Sequence, residues 1–497
     1  MSMASGLRGA ALLVGLMAPL PVGFLAPLPA AAQALPNEQG AKEIAEAVRA
    51  WLGRQLGTAV DMAALTLRVL PEGDGYRLEL PFGGSYFDGN VVLGEGIGAA
   101  TVQPLEGGRW AIVNATLPPR LRAEMKNIAS GAPSVMTMAI ENQQTTGTYD
   151  PTLTTASTFT TTVTGYSTEV QSAAGTQSSR IGKVVGRSEW LPSGPGRVTI
   201  QGDSTVEDYA SVSPLPDGAQ ARVTIGRMGG ATRIENFDID GLGGLLRTAF
   251  EIGAAAKAEA NAGRKGAQPD DKALATRLLG QLFSMLDGLE TDYTYDNIRV
   301  EAGPLATGSL RRFAFGLSTG APDGRMAVKL RLGMEGLESP LIPPGPWTEF
   351  VPHKLTLTPR IGGVPKEAVM ALLRRAIETE GKGIDADAMA LIADHPVSLG
   401  IEDLLIDLGP LRLKGEGSLE VASMDDATGE AELRATGLDA LIRRANQVPE
   451  LKMAAPVLIF LKGIGKQQGN ETVWHITYAD QKMMVNDTDL SDLMPSK

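Results

Sequence analysis

The sequence predicts an α+β fold of mostly antiparallel β-meander sheets, built as a duplicated unit with helices packed on one face. Three observations support it. Apolar residues alternate with polar ones over many short segments, which is typical of half-buried strands. A few segments instead repeat apolar residues every three or four positions, as amphipathic helices do. One strand–helix–helix–strand pattern occurs twice at a constant offset.

Residues 1–34 indicate an export signal. Arg8 supplies a positive start, residues 10–18 are apolar, and Ala32-Gln33-Ala34 has the small-x-small pattern of a signal peptidase site. The apolar run is shorter than the about 20 residues that span a bilayer. We therefore expect cleavage after Ala34, a periplasmic location and no transmembrane anchor after signal cleavage.

Composition excludes several function classes. The chain of 497 residues has no cysteine, which rules out disulfides, thiolate metal sites and thiol nucleophiles. Its formal net charge of -12 makes it poorly suited to bind nucleic acid or anionic membrane surfaces by bulk attraction. The composition therefore favours an acidic exported protein that does not bind nucleic acid.

The first half begins with a predicted helix over 38–56, in which Ile44 and Val48 lie one turn apart. Period-two alternation follows in a long antiparallel meander. The predicted strands are 65–69, 76–80, 110–117, 135–140, 198–209, 221–227 and 233–239.

Thr145–Ser179 is rich in threonine and serine and poor in large apolar residues. Threonine favours strands, but such a segment buries little on either face. We favour a run of outer strands or a partly disordered loop; the alternative is an exposed rim or receptor surface.

Helices are predicted again in the middle of the chain and strands dominate after it. The predicted helices are 242–262, 270–286, 365–378, 438–446 and 451–463. The predicted strands are 291–301, 309–317, 326–334, 353–359, 398–408, 411–421, 430–436 and a hairpin over 473–485. We therefore divide the chain into a signal peptide (1–34), a β-rich half with a helical pair (35–300) and a second β-rich half with helices (301–497).

The segment that starts at Gly241 recurs at Gly437. In both, a glycine and a leucine are followed by a further leucine and an arginine, and each copy follows a predicted strand and leads into two helices. This shared context favours duplication over coincidence.

No motif fixes a reaction. His353, His395 and His475 are far apart and have no metal-ligand spacing. Gly94–Gly98 lacks the lysine of a phosphate loop, and Asp238 with Asp240 lacks the rest of a calcium loop. We expect no cofactor, no metal and no enzymatic activity.

Arginine pairs follow apolar residues at three places, two of which include Arg374 and Arg443. Guanidinium groups beside apolar surface suit a phospholipid head group, although solvated helix faces explain them equally well. Residues 451–461 are the most apolar stretch after the signal. They fit a buried core helix or the wall of a lipid groove.

The segments Leu411–Val421 and Gly429–Arg434, together with the export signal and the late Gly-Leu helix start, complete a recognisable pattern. It resembles an uncharacterised periplasmic family of alphaproteobacteria, a domain of unknown function, mainly over residues 290–490. More distantly it is similar to AsmA-like envelope proteins. The resemblance implies sheets that curl into an apolar groove and implies no catalytic residues. The large AsmA-like proteins have an N-terminal membrane anchor, and we expect this chain to lack one, which argues against a bridge-spanning role.

The leading hypothesis is a non-catalytic periplasmic envelope protein that binds or transfers a lipid or other apolar ligand. The predicted ligand-binding residues are Leu441, Arg443, Arg374, Gly437 and Gly241, with an arginine holding a phosphate and the glycines letting helices shift. The alternatives are a structural or interaction scaffold that contacts envelope proteins and, third, an envelope hydrolase.

Overall fold

The computed structural model describes residues 36–490 apart from a set of gaps. These gaps are 57–65, 87–90, 127–132, 154, 216–217, 240, 242–243, 246–247, 249–268, 304–306, 341, 343–344, 346–347, 349–350, 424–425 and 449–451. The predicted export signal and most of the predicted helix 242–262 therefore lie outside the described residues. The chain divides into two compact units, the first ending at Asp287 and also including Val300–Gly303, the second holding Gly288–Arg299 and the chain from Pro304.

The first unit is a predominantly antiparallel sheet with a helix at each end of its sequence. Its helices with both ends among the described residues are α1 (Glu38–Leu56) and α2 (Pro269–Met285), and the described residues between 239 and 248 are helical as well. Its strands are β1 (Arg68–Glu72), β2 (Gly75–Pro81), β3 (Gly84–Tyr86), β4 (Val91–Leu93), β5 (Ile97–Pro104), β6 (Trp110–Thr116), β7 (Arg120–Lys126), β8 (Pro133–Asp150), β9 (Thr155–Ser172), β10 (Gly175–Gly194), β11 (Arg197–Pro214) and β12 (Gln220–Asp238).

Helix α1 forms because its apolar residues lie on one face and Asn37 caps its start. The Asn37 side chain accepts a hydrogen bond of 2.8 Å from the backbone N–H of Gly40. Ile44 and Val48 then pack in a closed core with Tyr76 and Trp110. The predicted helix over 38–56 is confirmed at both ends.

The long strand β8 organises the sheet of this unit. Strands β6 and β7 pair with different stretches of one edge of β8, and β9 pairs along the other edge. From β9 the sheet continues through β10 and β11 to β12 by antiparallel hairpins.

The sequence predicts outer strands for the threonine-rich segment, and the structure shows this prediction to be wrong. Strand β9 lies between β8 and β10 and pairs with both over almost its whole length. Thr145 and Thr161 are both buried. Their hydroxyl oxygens lie 2.7 Å apart and hydrogen-bond to each other, so neither hydroxyl is buried without a partner. Mutual satisfaction of hydroxyls is what allows this polar segment to sit inside the sheet.

The two strands predicted at 221–227 and 233–239 are one strand, β12. Gly229 and Gly230 between them pair in register with Thr205 and Ser204 of β11. Glycine keeps both backbone hydrogen-bonding groups, so the ladder continues through it.

The second unit is a meander with helices inserted at three places. Its strands are β13 (Gly288–Glu301), β14 (Thr307–Gly320), β15 (Arg325–Glu338), β16 (Lys354–Pro365), β17 (Val397–Asp407), β18 (Arg412–Val421), β19 (Ala427–Thr436), β20 (Lys466–Gln468), β21 (Glu471–Ala479), β22 (Lys482–Val485) and β23 (Thr488–Asp489). Its helices are α3 (Lys366–Thr379), α4 (Ile384–Asp394), α5 (Leu438–Gln447) and α6 (Ala455–Ile464).

Strands β14 to β19 pair in chain order, all antiparallel, and β21 then pairs with the free edge of β19. The predicted strands of this half are confirmed with small shifts of their ends, except that β16 runs to Pro365, six residues past its predicted end. Helix α4 was not predicted, because its alanine-rich sequence has no clear apolar stripe. Within the described ranges, no helix combines the length and the apolar character needed to cross a membrane.

Candidate functional site

One face of the second unit's sheet carries three apolar rows that run across neighbouring strands. Antiparallel register places directly paired residues on the same face, so each row is fixed by the pairing itself. From β17 through β18 and β19 to β21, the rows are Leu399–Leu419–Gly429–Tyr478, Ile401–Gly417–Ala431–Ile476 and Leu404–Gly415–Leu433–Trp474.

The centre of this face is a depression, because its residues have small side chains or none. Gly415 and Gly417 are successive positions of β18 on this face, and Ala431 lies opposite Gly417. A Cβ atom on Gly417 would lie 2.6 Å from that of Ala431, so no larger side chain fits there without a shift. The glycines therefore form a floor between taller apolar side chains.

The resulting cavity, which we call the trough, has a volume of about 550 Å³. Its described lining residues all lie on strands, from Val328 of β15 to Tyr478 of β21. Large apolar side chains remain open to solvent along it: Ile361 is 48%, Leu399 37% and Ile401 39% exposed. Such a contiguous exposed apolar surface is typical of a binding surface.

The trough crosses six strands. The row that begins with the pair Val328 and Ile361 continues through Leu399 to Tyr478. Five steps between neighbouring strands make its length about 24 Å. One leaflet of a bilayer has a hydrocarbon thickness of about 15 Å, which is the length that an extended acyl chain spans there. The trough is longer than this, so it is long enough for an acyl chain.

A β-bulge keeps the apolar residues of β17 on the trough face. Ile401 pairs with Gly417 and Leu404 pairs with Gly415, so one extra residue is inserted between Ile401 and Leu404. Without it, Leu404 would point to the opposite face.

The opposite face of the same sheet is charged. Glu402 forms ion pairs with Lys329, at 3.2 Å, and with Arg360, at 3.8 Å. Arg434 pairs with Glu432 at 2.6 Å, and this hydrogen bond raises the pKa of the Arg434 guanidinium. The sheet therefore has one charged, solvated face and one apolar face.

The pair of helices α5 and α6 covers one end of the apolar face. Leu441 of α5 and Leu458 of α6 pack on a buried cluster that includes Trp474. Leu433 and Ile476 belong both to this cluster and to the lining of the trough. The described lining residues beyond that end lie on strands alone, so the helices cover only part of the face.

The sequence-predicted ligand residues lie outside this lining. Leu441 is half-buried in the cluster under α5, and Arg443 is exposed on the same helix. Arg374 is exposed on α3. The structure therefore brings Leu441 and Arg443 to the helix pair that closes the trough's end.

The two predicted hinge glycines have different environments. Gly437 precedes α5 with a φ of +80°, and a Cβ atom there would collide with the carbonyl oxygen of Pro410. Gly241 is helical and donates its N–H to the Asp238 carboxylate at 2.9 Å. Gly437 is thus required by the backbone, whereas Gly241 has no such requirement.

A second concavity, of about 510 Å³, lies in the first unit. Its lining is polar, with Thr168, Ser179 and Arg180 among its residues. Thr168 and Ser179 already hydrogen-bond to each other at 2.6 Å. Among the residues that the structure describes, no group of three or more His, Asp or Glu side chains is placed to hold a metal ion.

The sequence predicts an apolar groove, but it places the ligand at Leu441 and Arg443 on a helix, whereas the described lining of the trough lies on strands. The signal for the trough is present in β18, where leucine and glycine alternate with charged residues. Gly415 and Gly417 form its floor because strand pairing places them beside Leu433 and Ala431.

No curated protein and no solved structure matches this chain. A family model does match, over residues 242–481, and this range contains the whole trough and the helix pair. The family is described as an uncharacterized protein conserved in bacteria (DUF2125), so the match supports assigning this part of the chain to a domain of unknown function conserved in bacteria.

Proposed function

We propose that the second unit binds an elongated apolar ligand, such as the acyl chain of a lipid, in the trough. The observation that carries this proposal is the open, glycine-floored apolar face. Burying apolar surface gains about 25 cal/mol per Å², and here that surface is exposed and needs no rearrangement to receive a chain.

The one-sidedness of the sheet adds to the proposal. A ligand on the apolar face meets aliphatic side chains, while ion pairs such as Lys329–Glu402 keep the other face in water. A lipid head group would lie at the trough's closed end, where Arg443 on α5 offers an exposed guanidinium. The phosphate-holding role of Arg443 and Arg374 is part of this proposal.

The periplasmic location, the cleaved export signal and the non-catalytic character belong to the same proposal. So do the alphaproteobacterial origin and the distant likeness to AsmA-like proteins, whose sheets curl into an apolar groove. The internal duplication also stays a prediction, because most of the first helix of the first copy lies outside the described residues.

The test is mass spectrometry of lipids retained by the purified protein, with two matched variants. Ile401 in the trough and Leu191 on β10 are each 39% exposed. We expect Ile401→Asp to remove retained lipid and Leu191→Asp to leave it unchanged, since only the first places a carboxylate against the bound chain.

Circular dichroism would show that both variants keep their strands. Equal lipid retention in Ile401→Asp and the unmodified chain would refute the proposal. It would make the structural scaffold, which contacts envelope partners through its strands, the leading hypothesis.

A further inference from the structure

We propose that helix α6 docks the protein on the surface of an anionic phospholipid bilayer. This inference goes beyond the trough and stands without it. It rests on an apolar surface on the outside of α6 and on the charges beside it.

The α6 surface consists of five large apolar side chains that are open to solvent. Their exposed fractions are Met453 90%, Val457 57%, Ile459 53%, Phe460 45% and Leu461 38%. The sequence had favoured a buried core helix for this stretch, and the structure shows that expectation to be wrong. Ala455, Leu458 and Ile464 of α6 pack on the protein.

The exposed residues follow helical spacing. Val457, Phe460 and Leu461 are three and four residues apart, which places them on one stripe of α6, and Met453 lies in the turn just before the helix. A surface helix normally presents polar residues on that side. An outward apolar stripe is the arrangement of helices that lie in a bilayer interface.

The helix is held in this orientation by its neighbours. Trp474 donates its indole N–H to the Leu461 carbonyl at 2.7 Å, and Asn486 donates its side-chain amide to the Ile464 carbonyl at 2.7 Å. These bonds occupy carbonyls at the end of α6 and fix its rotation. Val457 and Phe460 therefore cannot turn inward without breaking them.

The charges beside the α6 surface favour anionic lipids. Residues 451–470 contain three lysines and no acidic residue, in a chain whose formal net charge is -12. Lys462 pairs with Asp439, and Lys466 pairs with Asp487 at 3.0 Å. Both pairs are well exposed, so a lipid phosphate competes for these lysines at small cost.

A second copy of the chain fits this surface less well. A stable interface takes roughly 20–30 residues from each partner, and the α6 surface offers only a few. Pairing two copies through it would also bring Lys452 and Lys462 of both copies together. A bilayer meets neither difficulty, because lysines at the rim extend toward the lipid phosphates.

The experiment measures binding of the full chain to vesicles of phosphatidylcholine with phosphatidylglycerol. Phe460→Asp is compared with Val113→Asp, since Phe460 is 45% and Val113, on β6, is 42% exposed. We expect Phe460→Asp to weaken vesicle binding roughly tenfold or more, because a carboxylate replaces a side chain that enters the interface. Val113→Asp adds the same charge and should bind like the unmodified chain.

A second readout uses the absence of cysteine, which makes a single introduced thiol unique. An environment-sensitive dye on Phe460→Cys should shift its emission to the blue when vesicles are added, and the same dye on Val113→Cys should not. Vesicle binding unaffected by Phe460→Asp, or a dye on Phe460→Cys that stays in water, would overturn the proposal. Equal binding of the chain to vesicles with and without phosphatidylglycerol would also overturn it. So would a blue shift of the dye in the absence of vesicles together with a doubled molecular mass, because the α6 surface would then bind a second copy of the chain.

The two proposals fail separately. Ile401→Asp should lose retained lipid and keep vesicle binding, whereas Phe460→Asp should lose vesicle binding and keep the trough intact. Loss of vesicle binding in Ile401→Asp would contradict the assignment of docking to α6.

Discussion

The apolar sheet face of the first unit and that of the second differ in how far helices cover them. Both alternate apolar and polar residues, and both belong to antiparallel strands. In the first unit α1 covers the face, so Ile44, Val102 and Trp110 have no exposure. In the second, α5 and α6 cover only one end, and Ile361 and Ile401 remain exposed. Alternation therefore predicts an apolar face, but a helix decides whether that face becomes a core or a binding surface.

The sharpest test of this comparison changes the same residue type on both faces. Ile44→Ala should lower the free energy of unfolding by about 2–5 kcal/mol, because it leaves a cavity in a closed core. Ile361→Ala should cost less than about 1 kcal/mol, since its side chain is already half exposed.

Urea denaturation followed by circular dichroism would measure both changes. The chain has two units, so a biphasic transition would be analysed separately for each unit. Equal losses in the two variants would mean that the trough is closed in solution, and the comparison would fail.

The converse test adds volume instead of removing it. Ala100→Phe in the closed core should cost about 1–3 kcal/mol, because Ala100 is 3% exposed and the core has no room. Ala431→Phe on the trough floor should cost much less, since Gly417 opposite it has no side chain.

Ala431→Phe should also displace lipid, which mass spectrometry of the purified variant would detect. A stable Ala431→Phe variant that keeps its lipid would show that the ligand lies elsewhere. A strongly destabilised one would show that the floor is packed.

The polar interior of the first unit offers a smaller effect. Thr161→Val leaves the Thr145 hydroxyl without its partner and should cost about 1–2 kcal/mol. The double variant with Thr145→Val should recover most of that loss, because neither hydroxyl is then left buried and unpaired.

Thermal melts of the two single variants and the double variant complete the cycle. Additive losses would mean that each hydroxyl has an independent partner and that the pair does not close this part of the sheet.

The smallest effect concerns the rim of the α6 surface. The hydrogen bond from Lys462 lowers the pKa of Asp439, so the stability from this pair is present above the unfolded-state pKa and is lost as pH falls through the folded one. At neutral pH we expect Asp439→Asn to lower stability only slightly, because the pair is exposed, and to raise binding to anionic vesicles slightly, because Lys462 is then available to a phosphate.

Vesicle binding of Asp439→Asn and the unmodified chain should converge as the pH is lowered through that pKa. A decrease in binding at neutral pH would show that Lys462 contributes nothing to docking.

The sequence predicted the strands well because alternation is a local signal. Strand β18 illustrates this, since every second residue from Leu413 to Val421 lies on the less exposed side. The meander followed from turn residues between such segments. The helix over 38–56 followed from an aliphatic stripe, and its burial against Tyr76 fits that pattern.

The sequence predicts an apolar groove but not its position, because the coverage of a sheet face depends on distant elements. Nothing near Ile401 in the sequence shows that α5 and α6 stop short of it. The outward side of α6 was misjudged for the same reason, since an apolar helix is by default a core helix. The internal position of β9 depends on the pairing of Thr145 with Thr161, which only register reveals.

The extra residue in β17 ties the trough to the length of one strand. Ile401 and Leu404 lie three residues apart and still share the trough face because the bulge absorbs one residue. Removing Asp403 would leave them two residues apart, so regular alternation would keep both on that face without a bulge. The surface therefore tolerates the loss of this one residue, whereas a deletion elsewhere in β17 would turn the apolar side chains on one side of it to the charged face.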